Sequence, residues 1–439
     1  MYTRGVVSIV TVFTVVVLGL NASNAVAQAT PAHDMAHMDM GQKPAAAAAA
    51  TPSREASGTS WLPDMSPMYA VHGTVGPWYL MAHENVFVQY LSERGARGHQ
   101  QFGSINWLMG MAARKAGSGR VTFTGMLGAE PWTIRGCGYP DLLASGERCG
   151  GEKIHDQQHP HDLFMELAVQ YEAPLKKSLH WQVYGGPVGE PALGPVAFPH
   201  RVSAMPNPLA PLTHHWFDAT HISFGVVTAG VYGRRWKAEG SVFNGREPDE
   251  DRKDFDFGAL DSFSGRLSFL PTPSLSLQVS SGKLTEAEPD EHGGAGLDVS
   301  RMTASVIYHA MAGTAGIWAT TVAWGRNEES GVATNALLAE SSLTRNDRDT
   351  WFGRFEVVNK TAHDLDISES DDKFMVAKLQ GGYTRYLRAR HRIQPGLGAG
   401  LSAGFVPESL RDLYGGRVNP GFGVYVTFRP VGMMMHAGH

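Results

Sequence analysis

The sequence predicts an all-β fold, a transmembrane antiparallel β-barrel of about 16 strands with two long loops folded into its lumen. Three observations carry that expectation. Apolar residues recur at every second position through most of the chain after Trp78. The connections between these segments alternate between short and long. The composition is rich in glycine, 51 of 439 residues, and poor in charge, at 18%. A typical soluble domain carries roughly 25% charged residues and about 7% glycine.

At the N-terminus, Arg4, the apolar run from Gly5 to Leu20 and Ala25-Val26-Ala27 form the three regions of a secretory signal peptide ending before Gln28. The apolar core is short for a membrane span, and no repeated apolar runs follow, which excludes a helical bundle. Residues 28–60 form a His/Met-rich tail and a Pro/Ala linker too poor in apolar residues to bury a core, so disorder is expected there. Residues 61–77 are a lead-in, 78–430 the barrel, and 431–439 a second Met/His-rich tail. Cys137 and Cys149, an even pair at short range in an oxidising compartment, are expected to form a disulfide.

Strands are expected at 78–90, 101–112, 119–129, 162–172, 177–187, 220–232, 235–245, 258–270, 274–284, 297–310, 314–326, 332–343, 348–362, 373–387, 391–406 and 418–430. Their two faces differ in polarity. Trp236, Ala238, Gly240 and Val242 alternate with Lys237, Glu239 and Ser241; Phe263, Gly265, Leu267 and Phe269 alternate with Ser264, Arg266 and Ser268. In the fourth strand Leu163, Met165, Leu167, Val169 and Tyr171 share the apolar face. Charges on the polar faces (Glu166, Lys237, Glu239, Arg266, Arg354, Glu356) suit a wet lumen and would be costly against lipid. Tyr171, Trp181, Trp236 and Trp351 lie near strand ends, where interfacial aromatics belong. Glycines such as Gly240 and Gly265 are read as fitting a curved wall. The last strand, Gly421 to Phe428, resembles the terminal insertion signal of bacterial outer-membrane barrels, although eleven residues follow it.

Chemistry concentrates in two loops. His155-Asp156-Gln157-Gln158-His159-Pro160-His161-Asp162 and His214-His215-Trp216-Phe217-Asp218-Ala219-Thr220-His221, with His200 nearby, hold seven of the 19 histidines. Imidazoles and carboxylates are ligands for zinc, copper and nickel. The candidate metal ligands here are His159, His161, Asp162, His214, His215, Asp218 and His221; the alternative is that they hydrogen-bond a folded loop without metal. The tail residues His33, Met35, His37, Met38 and Met40, and Met433, Met434, Met435, His436 and His439 at the other end, pair thioethers with imidazoles, a set suited to copper. An enzyme is not expected. H-E-x-x-H and phosphate-loop motifs are missing, and the pairs His221/Ser223 and His200/Ser203 are of a kind any long chain offers.

The plan of signal peptide, His33-Asp34-Met35-Ala36-His37-Met38-Asp39-Met40 tail and barrel resembles the copper resistance protein B family of outer-membrane proteins. His159-Pro160-His161-Asp162-Leu163-Phe164-Met165-Glu166 and Ala197-Phe198-Pro199-His200-Arg201 also resemble an uncharacterised family of predicted bacterial outer-membrane proteins. The first resemblance implies passage or handling of copper or another soft transition metal, with copper or zinc the only cofactor; the second implies location and fold. A general porin or structural barrel is the competing reading, and an outer-membrane lipid-modifying enzyme a third. The partners implied are outer-membrane lipid, a transition-metal ion and further copies of the chain as a homo-oligomer. Both termini would be periplasmic. The net charge of −5 without clustered positives excludes nucleic acid.

Overall fold

The structure, a computed structural model, describes residues 54–288, 296–368 and 370–433. Two extended segments come first, β1 (Met68–Val75) and β2 (Trp78–Glu93), followed by β3 (Gln100–Ala116) and β4 (Gly119–Gly128). A separate hairpin, β5 (Tyr139–Cys149) and β6 (Glu152–Gln158), interrupts the wall. The wall resumes with β7 (Phe164–Lys176), β8 (Leu179–Val188), β9 (Val226–Tyr232), β10 (Trp236–Phe243), β11 (Ser262–Thr272) and β12 (Leu275–Glu288). It is completed by β13 (Leu297–Met311), β14 (Ile317–Glu329), β15 (Val332–Arg345), β16 (Asp349–Thr361), β17 (Lys373–Tyr386), β18 (Ile393–Phe405) and β19 (Val418–Pro430).

Antiparallel pairing runs around the wall, β4 pairing with β7, and β19 returns to β2 from Gly421↔Glu93 to Phe428↔Val86. Sixteen strands therefore close a barrel, and no wall edge is left open to pair with another chain. The remaining edge of β2 is covered by β1, from Ala70↔His83 to Val75↔Trp78, so the seam is sealed where β19 ends. That strand lies inside the expected lead-in and carries too short a pattern to stand out from it. The β5–β6 hairpin, likewise unexpected, is tied at its end by the Cys137–Cys149 disulfide.

Loop lengths sort by end of the barrel. One end carries short turns such as 117–118, 177–178 and 273–274; the other carries 129–163, 189–225, 244–261 and 362–372. The exception on the long-loop end is the two-residue turn 330–331 between β14 and β15. The outer surface is apolar. Leu267 is 58% exposed and Val322 44%, whereas Arg266, Lys237 and Glu356 on the opposite face are 1% exposed or less. A band of exposed aliphatic and aromatic side chains around a closed wall is what hydrocarbon requires of a β-barrel. Tyr171–Trp181, Tyr308–Trp318 and Trp351–Tyr383 pack in pairs at the short-turn end, completing an interfacial girdle with Trp236.

Two wall expectations need correction. Met165 does not share the outer face of β7: the register slips at Met126/Leu127, and the extra residue turns Met165 inward, 1% exposed, against Trp107 and Met126. Nor does the wall require glycine at Gly240 and Gly265, where an added Cβ would meet nothing closer than 3.6 and 3.5 Å.

The lumen is filled rather than wet. Almost every residue from 191 to 224 is buried, because the 189–225 loop enters the barrel. Its Leu212, Trp216 and Phe217 pack with Leu142 and Leu143 of the hairpin against Leu338, Val358 and Val376 of the wall. Residues 54–65 enter from the short-turn end, where Arg54 Nη1 donates to Arg234 O and Met65 N to Pro273 O. They form a narrow turn with Gly58 at its tip (φ +49°), where a Cβ would lie 2.8 Å from Glu190 Cβ. The stretch Arg54–Ser60, expected to be disordered, is therefore packed; Thr59 is fully buried. Its sequence is polar because its partners are the charged lumen wall. His33, Met35, His37, Met38 and Met40, and 434–439, lie outside the described residues.

Candidate functional site

Charged wall residues hold the inserted segments. Glu340 of β15 accepts from Arg201 Nε (2.8 Å), Arg354 Nε (3.0 Å) and Ser203 Oγ (2.9 Å), and Arg201 Nη1 also donates to Asp218 Oδ2 at 2.7 Å. Arg266 of β11 donates to Thr59 Oγ1 (3.0 Å) and Gly194 O (3.3 Å), and Lys237 of β10 donates to Thr59 O. Lys378 of β17 reaches Asp141 of the hairpin, and Glu356 of β16 accepts from Thr213 N and Oγ1. These groups are all but inaccessible to solvent, so each depends on its partners.

The two histidine-bearing loops meet above this layer. His214 and His215 open the short helix α1 (His214–Phe217), and His221 closes a tight turn at Ala219–His221. His159 and His161 arrive from the connection between β6 and β7. Ring centroids stand 5.3 Å apart for His161–His221, 5.1 Å for His214–His221, 5.3 Å for His214–His215 and 5.9 Å for His159–His215. Phe198 packs against His161, His214 and His221. Five residues read as ligands from sequence are thus brought together from two loops.

Acceptors fix three of the rings. Glu130 Oε2 holds both His161 N (2.9 Å) and its Nδ1 (3.0 Å); Asp218 Oδ1 holds His214 Nδ1 (2.8 Å); the Asp218 carbonyl holds His221 Nδ1 (2.7 Å). A carbonyl only accepts, so Nδ1 of His221 carries the proton and its Nε2 keeps a lone pair, buried without a hydrogen-bond partner. Burial lowers His214 to about 4 and His215 to about 3, and His159 and His221 well below the usual histidine range. Burial works the same way on His161, but the Glu130 carboxylate overrides it and raises that ring. Four imidazoles are therefore neutral at neutral pH, the form that binds metal.

The two carboxylates expected as ligands are otherwise engaged. Asp162 lies 3.6 Å from Arg252 Nη1, and burial lifts it to about 7 despite that guanidinium. Asp218 serves as a joint: burial would raise it, but Arg201 holds it well below the ordinary carboxylate range. Its two oxygens are taken by Phe198 N, Arg201 and His214. His200 stands apart, packed on Trp107 and His83.

Among the described residues, the groups that bring three ligand atoms within 4.8 Å of one another are His215–Glu247–Glu288 and Asp249–Asp254–Asp256, in which Asp249 and Asp254 are exposed and Asp256 half-buried. Glu247 and Glu288 were missed by histidine-centred reasoning. The signal available was acidic: both lie in carboxylate-rich stretches, Glu247-Pro248-Asp249-Glu250-Asp251 and Glu286-Ala287-Glu288, at the same end of the barrel. The first triad lines a cavity of about 280 Å³ at the long-loop end. Neither Ser/His pair forms: Ser223 Oγ donates to Thr220 O, and Ser203 Oγ to Glu340.

The architecture has solved counterparts. An anion-selective porin from Comamonas acidovorans superposes with a TM-score of 0.51 at 10% identity, over 80% of this chain and 99% of that one. OmpF of Salmonella typhi, in complex with daunomycin, gives 0.50 at 8% identity, over 82% of this chain and 100% of that one. The barrel has the porin fold. No family model and no curated protein matches the sequence, so the resemblance to the copper resistance protein B family gains no support.

Proposed function

We propose that this chain is an outer-membrane barrel of the porin type that rests closed and passes a small solute when its 189–225 loop moves. The observation that carries this reading is a lipid-compatible wall around a lumen whose charges are consumed by inserted segments. Porins of similar fold support the transport class, and the short turns and the N-terminal segment would face the periplasm. Reconstitution into planar bilayers tests it: rare, brief openings are expected, and a steadily open conductance of porin size would overturn the closed state. Light scattering in detergent checks whether the barrels associate as a homo-oligomer.

A metal-handling role is favoured by one observation, the gathering of five rings with Nε2 of His215 and His221 buried and unbonded. The donors in this cluster are imidazole and carboxylate, which suit zinc, copper(II) or nickel better than copper(I). Metal analysis of the purified, detergent-folded protein is the direct check, with a stoichiometric transition metal expected.

A further inference from the structure

We propose that His215, Glu247 and Glu288 bind one borderline divalent cation, of the zinc, nickel or copper(II) class, at the long-loop mouth of the barrel. The inference rests on the metal-handling reading above and gives it a place and a ligand set.

The three residues come from separate elements: the 189–225 loop, the 244–261 loop and the end of β12. Their ligand atoms fall within 4.8 Å of one another, and His215 Nδ1 stands 3.3 Å from Glu247 Oε1. His215 Nε2 and Glu247 Oε2 are both buried without a hydrogen-bond partner. A buried unpaired carboxylate oxygen is costly, and a cation is what would satisfy it.

The ring is positioned by a backbone device. Gly146 of β5 has φ +123°, and a Cβ there would come within 2.3 Å of the His215 ring. Only glycine lets the hairpin pass this close, so the imidazole can rest against the chain with its Nδ1 beside Glu247.

Charge around the cavity favours a cation. Glu147, Glu247, Glu288, Glu329, Asp364 and Asp371 line it, against Arg148 and Lys153. Arg301 and Lys360 act on the His215 ring from outside the lining and offset part of that surplus. One imidazole with two carboxylates is an open site, leaving positions for water or for an incoming ligand in a cavity of about 280 Å³. An imidazole also discriminates against calcium and magnesium, which prefer all-oxygen sites.

The experiment is zinc and calcium titration of the full-length, detergent-folded protein by calorimetry after chelator dialysis, with X-ray absorption on the zinc-loaded wild type. One zinc bound through a single imidazole and otherwise oxygen is expected, with calcium at least tenfold weaker. Glu247→Gln with Glu288→Gln should lower zinc affinity at least 100-fold, while Asp249→Asn with Asp254→Asn leaves it unchanged. Unchanged affinity in the Glu247/Glu288 variant, or a zinc surrounded by three or more imidazoles, overturns this site and leaves the metal reading standing on the ring cluster. Absence of any binding by the wild type overturns both. The absorption spectrum needs no variant, so a misfolded mutant does not remove the test.

Discussion

Arg201 is the point at which the closed lumen can be tested most sharply. Its guanidinium joins the inserted loop to the wall through Glu340 (2.8 Å) and to the loop itself through Asp218 (2.7 Å) and Val196 O (3.0 Å). Arg201→Met preserves the length of the side chain and removes all three bonds. Glu340 would keep Arg354 and Ser203, so the loss falls mainly on Asp218. Its other neighbours are the Phe198 amide and a His214 ring that is neutral at pH 7. Breaking a buried pair costs about 3–5 kcal/mol, and the partial compensation at Glu340 points to the lower end, about 3. Since roughly 1.4 kcal/mol is tenfold, loop opening should rise by about two orders of magnitude. Hydrogen exchange reads this directly at the amides of Ala204 and Met205, which donate to Arg201 O, with wall amides as the internal reference. Open events in bilayers should rise in parallel. Protection within threefold of wild type across 196–218 would refute the claim that this ion network holds the loop.

Three further outcomes follow from the same contacts. Burial, then the neighbouring His83 ring, lowers His200 to about 3. A histidine depressed in the docked state stabilises docking above its free value near 6.5 and loses that stability as pH falls below it. From pH 7.5 to 5.5 this one ring should cost about 1.4 kcal/mol, or roughly tenfold more loop opening by exchange; an equally steep dependence in His200→Gln would exclude it as the source. Cysteine-to-serine change at Cys137 and Cys149 should expose the β5–β6 hairpin to protease, with a loss of up to about 3 kcal/mol for so short a loop, while heat-modifiable mobility of the barrel is unchanged. Leu267→Arg, on the outer face of β11, should cost about 2–4 kcal/mol of stability in lipid vesicles; a neutral result would mean that face does not meet hydrocarbon.

The wall was legible because its signal is local and repeated. Trp236, Ala238, Gly240 and Val242 read as one face from sequence, and Trp236, Gly240 and Val242 stand exposed opposite buried Lys237, Glu239 and Ser241. Where a local irregularity breaks the period, as at Met165, the alternation assigns the wrong face, since the bulge is set by pairing with Met126 and Leu127 and not by the strand's own residues. β1 escaped notice for a similar reason: its place depends on the edge that β19 leaves vacant on β2.

The site was only half legible, and the missing half explains the charges as well. Histidines crowded into two loops are visible in a sequence; that the loops converge on Phe198 depends on both entering one lumen. Glu247 and Glu288 looked like ordinary acidic loop residues, because nothing in either segment points to His215. The strand charges suffered the opposite error. Lys237, Arg266, Arg354 and Glu356 suit a wet channel when considered alone, yet each is bonded to an inserted segment, to Thr59, Gly194, Leu209 and Thr213 among others. They fasten the closed state, so the polarity of the strands does not describe the path a solute would take. On the proposed gating, that path forms once the Arg201 attachment releases the 189–225 loop, and its lining would then include the freed charges and the histidine-bearing loop together.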